Sequence, residues 1–425
     1  MNDLLFKRNI IAIDLKSFFA SCECLERNLD PFNTPLIVCN PNQKGAITLA
    51  VTPFLKQFGV PGRCRVYDLP KYQIPKWINI IKAPPRMSLY IKKSKEVIGV
   101  YLEFVAKEDM LIYSIDEVLL DVTNYLKMYK MTDYELALKI LNRIKEKTGL
   151  TATAGIGPNM FLAKVAMDIE AKHTKDNIAK WTYDDIQTKL WEITPLSKMW
   201  SIGKRMEIRL NKLGLYKVGD IANYNKNKLR EKFGIIGLEL WNHANGIDTA
   251  KISDLNYEPK EKSISHSQVL FKDYNEETII LIIKEMTEVL TKRLRTLKKI
   301  TTVIGLGIGY SKNIGGGFYH VQKQDTGTSD TKAIYEVCLS IFDKYYEDYP
   351  IRKVSISLGG LQDDIGIQIN LFEPLEEIKH TKSKDEVVDK IQEKFGANSI
   401  IKASSLLPHS TAIERNKKIG GHNAN

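Results

Sequence analysis

Three carboxylates carry the strongest chemical signal in this sequence of 425 residues. Asp14 closes the apolar run RNIIAID at 8–14, and Asp116-Glu117 interrupt the apolar segment LIYSIDEVLLDVT at 111–123. A carboxylate at the end of a hydrophobic strand is costly unless a cation or strong donors meet it. Converging from neighbouring strands, these three would make a hard, oxygen-rich site suited to Mg2+. Two such ions about 3.5–4 Å apart stabilise both the attacking and the leaving oxygen of an in-line phosphoryl displacement. The pair alone does not decide the matter. A second acidic pair, Asp385-Glu386, lies in a charged helical stretch that reads as a solvated face.

Composition narrows the partners. The formal net charge of +11 favours a polyanion, either nucleic acid or an acidic membrane surface. No run of about 18 apolar residues offers a membrane span. The N-terminus lacks a small-residue cleavage site, reads directly into a strand and is not expected to be a signal peptide. Cys22, Cys24, Cys39, Cys64 and Cys338 show no paired metal-type spacing, which argues against disulfides and zinc. A cytoplasmic protein is expected, and a chain of this length predicts two or more domains.

The elements that must position the acids follow from periodicity. Residues 8–14 read as a buried strand, 17–27 as a helix, and 31–87 as a small proline-rich subdomain. Helices are expected over 88–107 and 134–147, with strand–turn–strand between them at 111–123. A strand at 151–156 leads into a helix across 159–171. Residues 178–248 change character, with short helices, two glycine turns, and twelve Lys and Arg against eight Asp and Glu. Beyond a polar linker, 264–360 reads strand, helix, strand, strand, helix, strand, a split βαβ order. GLGIGYSKNIGGGF at 305–318 lacks GK[ST] before a helix, so it reads as a hairpin rather than a phosphate loop. The last 60 or so residues are polar, with a helix near 384–395.

Three segments resemble one family in order. IAIDLKSFFASCE (11–23) and YSIDEVLLDVT (113–123) resemble the two catalytic motifs of Y-family DNA polymerases, and TATAGIGPNMFLAKVAMDIEAKH (151–173) resembles the segment that follows them. The resemblance covers about 1–365 and looks closest to the UmuC-like bacterial branch. It implies an α+β multidomain, right-hand fold: palm at 1–14 and 88–177, small fingers at 15–87, helical thumb at 178–250, linker at 251–262, a βαββαβ little finger domain at 263–365, and a tail at 366–425. It implies low-fidelity translesion synthesis on primer–template DNA from dNTPs with two Mg2+ ions, by a monomer.

Roles follow by position. Asp14 and Asp116 would bridge both metals, Glu117 would hold the catalytic one, and the Leu15 carbonyl would complete the nucleotide-metal shell. Phe19 matches the steric gate that rejects a ribose 2′-OH, with Phe18 beside it in the nucleotide pocket. Lys164 matches a triphosphate-binding lysine, which Asp168 could orient as its i+4 neighbour. In the fingers, Lys56 keeps the basic position, but Pro53 replaces the usual hydrogen-bonding residue; Thr52 or Arg63 could substitute. The turn at WSIGKRMEIRLNKLG (200–214) would aim backbone N–H groups at a DNA phosphate through Gly203, with Lys204 and Arg205 adding charge. KFGIIGLELW (232–241) is a second such turn. Lys298, in a cluster with Lys292, Arg293, Arg295 and Lys299, would touch DNA backbone. Gln368, Ile369, Leu371 and Phe372 resemble the peptide that docks bacterial polymerases on the sliding clamp. The remaining tail could bind an accessory protein. Two other readings stay open: a non-catalytic DNA- and clamp-binding scaffold, and a different two-metal phosphoryl-transfer enzyme.

Overall fold

The computed structural model describes residues 7–43, 45–256, 262–364 and 375–425. The chain divides into two compact units, Met1–Tyr257 with the last two residues, and Glu258–Asn423. The division falls inside 251–262.

The first unit is built on strand β1 (Ile10–Leu15), whose IIAIDL is buried except at the acid. Helix α1 (Phe18–Leu25) follows at once. A small three-stranded sheet comes next, with β2 (Leu36–Val38), β3 (Ala50–Val51) and β4 (Ile81–Ala83) in the order β3-β2-β4 and the short helix α2 (Pro53–Lys56) beside it. Pro53 is explained locally: it occupies the first position of α2, where its fixed φ and missing N–H cost nothing. Thr52 is fully buried and its Oγ1 accepts the Leu36 N–H at 3.2 Å, so it is not free to replace Pro53 as a ligand contact.

Helix α3 (Met87–Tyr101) leads to β5 (Met110–Ile112) and β6 (Glu117–Asp121), then to α4 (Leu126–Tyr129) and α5 (Asp133–Thr148). A reciprocal capping box between Thr132 and Glu135 starts α5. Strand β7 (Ala152–Gly157), helix α6 (Met160–Ile169) and β8 (Ile178–Lys180) complete a five-stranded sheet in the order β5-β6-β1-β7-β8. Chain order does not predict that arrangement, which puts β1 in the middle. Asp14 there lies opposite Glu117 on one side and Thr153 on the other.

Helix α6 sits directly on β7 because that strand carries glycine where the backbones meet. A Cβ on Gly155 would lie 2.1 Å from the Ala163 carbonyl oxygen, and one on Gly157 would lie 2.5 Å from the Ala163 nitrogen. Four helices close the unit: α7 (Lys204–Asn211), α8 (Val218–Asn223), α9 (Lys226–Phe233) and α10 (Ile235–Ala244).

The second unit runs β9 (Ile264–Tyr274), α11 (Glu276–Thr296), β10 (Lys299–Tyr310), β11 (Gly317–Thr328), α12 (Thr331–Tyr345) and β12 (Ile351–Gly359), the strand–helix alternation expected from sequence. Its antiparallel sheet has the order β11-β10-β12-β9, with the two-residue β13 (Gln362–Asp363) paired to β10. Ile282, Met286 and Leu290 of α11 join Ile341 and Phe342 of α12 and Ile304, Leu306 and Ile356 of the sheet in one core.

The polar C-terminal segment is more ordered than its composition predicts. Helix α13 (Leu375–Phe395) begins well before 384, and α14 (Ala412–Asn416) and a hairpin, β14 (Lys418–Ile419) with β15 (His422–Asn423), follow. Two readings are corrected here. Asp385 is not on a solvated face, because it binds Arg295 at 3.1 Å, and Asp389 takes the same guanidinium at 2.7 Å. The basic cluster near 298 is also largely spent within the unit. Arg295 is committed to α13, Lys292 donates to Gln392, Arg293 donates to the Ser265 carbonyl, and Lys299 pairs with Asp363. A buried Glu285 on α11 receives Ser410 Oγ, the Thr411 N–H and Arg415, fastening the segment to the helical face.

Candidate active site

The three predicted acids stand at one end of two adjacent interior strands of the first sheet. Asp14 is the fifth residue of β1, Glu117 opens β6 opposite it, and Asp116 ends the turn before β6. The Leu15 N–H donates to the Asp116 carbonyl at 3.0 Å, which ties the two strands beside the acids. Leu15 itself is buried.

Each carboxylate has a different neighbour. Asp116 Oδ1 accepts Ser114 Oγ at 2.6 Å. Glu117 Oε1 lies 2.7 Å from Lys164 Nζ, yet that buried oxygen takes no properly directed hydrogen bond among the described residues. Asp14 Oδ2 is 3.8 Å from Lys172 Nζ. Glu117 and Asp14 are therefore turned toward lysines and Asp116 toward Ser114. Among the described residues no three acid, His or Cys groups already stand close enough to share an ion.

Electrostatics shows the tension of this arrangement. Burial pushes the Asp14 carboxyl up to about 7, Asp116 and Glu117 push the same way, and Lys172 only partly opposes them. Glu117 is also raised, chiefly by burial and against the pull of Lys164. Lys164 is only 7 % exposed, so it does not snorkel to solvent. Burial works against its charge, but Asp168 at 2.8 Å and Glu117 together hold its pKa above the ordinary value. The i+4 orientation of Lys164 by Asp168 is thus present in the geometry. Asp168 also takes Lys172 at 3.0 Å.

The aromatic pair beside the acids splits in two. Phe18 is buried in the core, whereas Phe19 is half-buried and stacks on Tyr90 with ring centroids 4.4 Å apart and planes at 17°. Tyr90 is fixed by its hydroxyl, which donates to Glu23 Oε1 at 2.8 Å. Glu23 is fully buried, with Arg86 bonded to both oxygens at 3.0 and 2.8 Å and Arg27 paired to one of them. Sequence reasoning missed this support. Its trace is an acid at position 23 inside the apolar helix FFASCECL.

Lys56 ends α2 on the surface; the protein crowding its ammonium lowers its pKa, the Asp14 charge opposes that, and the Lys172 charge adds to it. Gly203, Lys204 and Arg205 are exposed at the start of α7. The left-handed residue of that turn is Ser201, at φ 74°, while Gly203 has an ordinary negative φ. The second turn does use its glycine in that way, since Gly234 has φ 66° between α9 and α10. In the second unit, Lys298 is exposed just after α11 at φ 51°. Gln368, Ile369, Leu371 and Phe372 lie outside the described residues. No helix among the described residues is long and apolar enough to cross a membrane.

Comparison with known proteins agrees over the whole length. The pattern of the impB/mucB/samB family matches residues 13–168, that of its C-terminal domain matches 261–371, and the HHH motif of the family matches 183–215. The chain is 38% identical over 420 residues to a protein named putative UV-damage repair protein UvrX from Bacillus subtilis (strain 168), covering 98% of each. It is 32% identical to a protein named DNA polymerase IV 2 from the same strain, covering 97% of this chain and 98% of that one. Among solved structures, a Y-family DNA polymerase chimera superposes with a TM-score of 0.66 at 22% identity, covering 84% of this chain and 99% of its own.

Proposed function

Because the chain belongs to the impB/mucB/samB family and is a UmuC-like, Y-family DNA polymerase of translesion synthesis and repair, we propose that its reaction centre is the Asp14, Asp116 and Glu117 end of the first sheet. The observation that carries this assignment is the set of half-buried carboxylates at the neighbouring ends of β1 and β6, with Glu117 against a buried Lys164.

Family membership implies a divalent metal, and the donors fit one. They are oxygen only, burial disfavours the charge of Asp14, and Glu117 Oε1 is buried without a directed donor. The finer proposal is two Mg2+ ions, with Asp14 and Asp116 holding both, Glu117 the catalytic one, and the Leu15 carbonyl one. Ions bound there would polarise the α-phosphate and lower the pKa of the primer 3′-OH.

The chain's own residues supply the rest. Lys164 is pre-oriented by Asp168 to meet a phosphate once Glu117 is drawn toward a cation. The Phe19 ring, braced by Tyr90, would stand where a 2′-OH projects and reject it by clash. Gly203, Lys204, Arg205 and Lys298 would hold DNA backbone without reading sequence. The 368–372 peptide would dock a sliding clamp, and deleting it should lower clamp-stimulated synthesis while sparing basal synthesis; equal loss of both would remove that role. An accessory protein on the C-terminal segment would have to engage it in its fastened state.

Primer extension with Mg2+ and dNTPs, beside Asp116→Ala, tests the centre. Extension by the wild type and none by the variant is expected. Extension by both would move the centre elsewhere, and DNA and clamp binding without extension would mark a scaffold.

A further inference from the structure

Pro53 leaves the fingers short of one phosphate contact, and two further lysines of the first unit, Lys16 and Lys172, lie beside the acids in sequence or in space. Lys172, in the short turn Ala171–His173 after α6, reaches 3.0 Å from Asp168 and 3.8 Å from Asp14. Its side chain remains 43 % exposed, so it is free to reorient. Lys16 follows β1 and is held from the other side, where its ammonium donates to Asn177 Oδ1. Asn177 stands at φ 58° in the loop that enters β8, a left-handed conformation that asparagine tolerates better than most residues.

Two further observations point at an absent anion. Ser17, the residue after Lys16, is left-handed at φ 49°, and its Oγ is buried with no hydrogen-bond partner among the described residues. Strain of this kind in a non-glycine residue concentrates at functional sites. The lysines also act on one another. The charges of Lys16, Lys56 and Lys172 repel one another. Lys164 and Lys172 pair with Glu117, Asp168 and Asp14, and Lys56 feels the Asp14 charge, so that with Lys16 and Asp116 four lysines and four acids belong to this neighbourhood. With divalent cations on the acids, the lysines would be left in excess by about the charge of a nucleoside triphosphate.

We propose that Lys16 and Lys172 complete, with Lys56 and Lys164, the grip on the phosphates of the incoming nucleotide, supplying by charge what Pro53 withholds by hydrogen bonding. Asp168 is their positioning residue. It holds Lys164 and Lys172, each one turn away on either side, on a single carboxylate, so that both can swing to phosphate without searching many rotamers. This inference rests on the polymerase reading above.

The test uses the full chain on a primer terminated by a dideoxynucleotide, so that no reaction follows binding. The correct dNTP is titrated with Mg2+, and complex surviving a heparin trap is measured. Lys172→Gln and Lys16→Gln should each raise the half-protecting dNTP concentration about tenfold, the value of one charge-assisted phosphate contact. Lys172→Arg should stay near wild type, and binary DNA affinity should not change. Unchanged dNTP dependence in both Gln variants overturns the assignment. So does a shift confined to the Mg2+ requirement, which would mean that Lys172 only neutralises Asp14. A parallel loss of DNA affinity also overturns it, because that marks general structural damage. If the wild type itself forms no dNTP-dependent complex, the polymerase reading falls, and this inference falls with it.

Discussion

Lys164 Nζ and Glu117 Oε1 lie 2.7 Å apart, joining α6 to the first residue of β6 across a site where both side chains are about nine-tenths buried. A lone buried pair is weak evidence for stability, because desolvation offsets its attraction. Its meaning lies in what surrounds it: Asp14 already strongly raised, and Asp168 completing the lysine's shell.

Removing Asp14's charge should stabilise the metal-free protein while abolishing synthesis. The folded pKa of about 7 lies above the ordinary 3.8, so the ionised form is disfavoured in the fold. The resulting penalty is absent below about pH 4, grows as pH rises, and is complete above about 7. Asp14→Asn should gain about 2–4 kcal/mol over wild type at pH 8 in EDTA and little at pH 4. Urea denaturation at the two values measures it; an equal gain at both would contradict the raised pKa.

Phe19→Ala should increase ribonucleotide incorporation without abolishing synthesis from dNTPs. Tyr90→Leu, which keeps an apolar contact but loses the stack and the bond to Glu23, should loosen sugar selection less. Single-nucleotide insertion with matched rNTP and dNTP gives the ratio. An unchanged ratio in Phe19→Ala removes the gate.

The strand patterns and most helix positions were legible because burial imposes periods of 2 and 3.6 on the sequence. Asp14 could be singled out because it ends a run that is otherwise all apolar. Contacts over long separations were not legible. Nothing near 385 says that Asp385 and Asp389 will meet Arg295, some 90 residues away. Nothing in the sequence distinguishes Lys172 from the many other lysines of the chain. Only the turn that brings it back toward β1 separates it from the rest.

Glu285 should prove to be the fastening of the C-terminal segment. It is 2 % exposed and receives Ser410, Thr411 and Arg415. Glu285→Ala leaves Arg415 without its carboxylate and should cost about 3–5 kcal/mol. Limited proteolysis should then cut within 396–411 ahead of the rest of the unit. Resistance equal to wild type would show that the salt bridges to α13 suffice.

Gly155→Ala should be more damaging than any surface change near the acids. The added methyl has backbone atoms of Ala163 and Met167 within 2.1–2.3 Å, which rotamer changes cannot relieve. A loss of about 3 kcal/mol or more is expected from overpacking against backbone. Thermal unfolding beside Gly203→Ala, where the same methyl meets open space, provides the comparison. Similar melting temperatures would contradict the close seating of α6.

That seating sets a boundary on how such a protein can diversify. With α6 resting backbone to backbone on β7, the helix that carries Lys164 and Asp168 cannot slide or tilt apart from the sheet that carries Asp14 and Glu117. Lys164, Asp168, Asp14 and Glu117 are therefore carried as a single block.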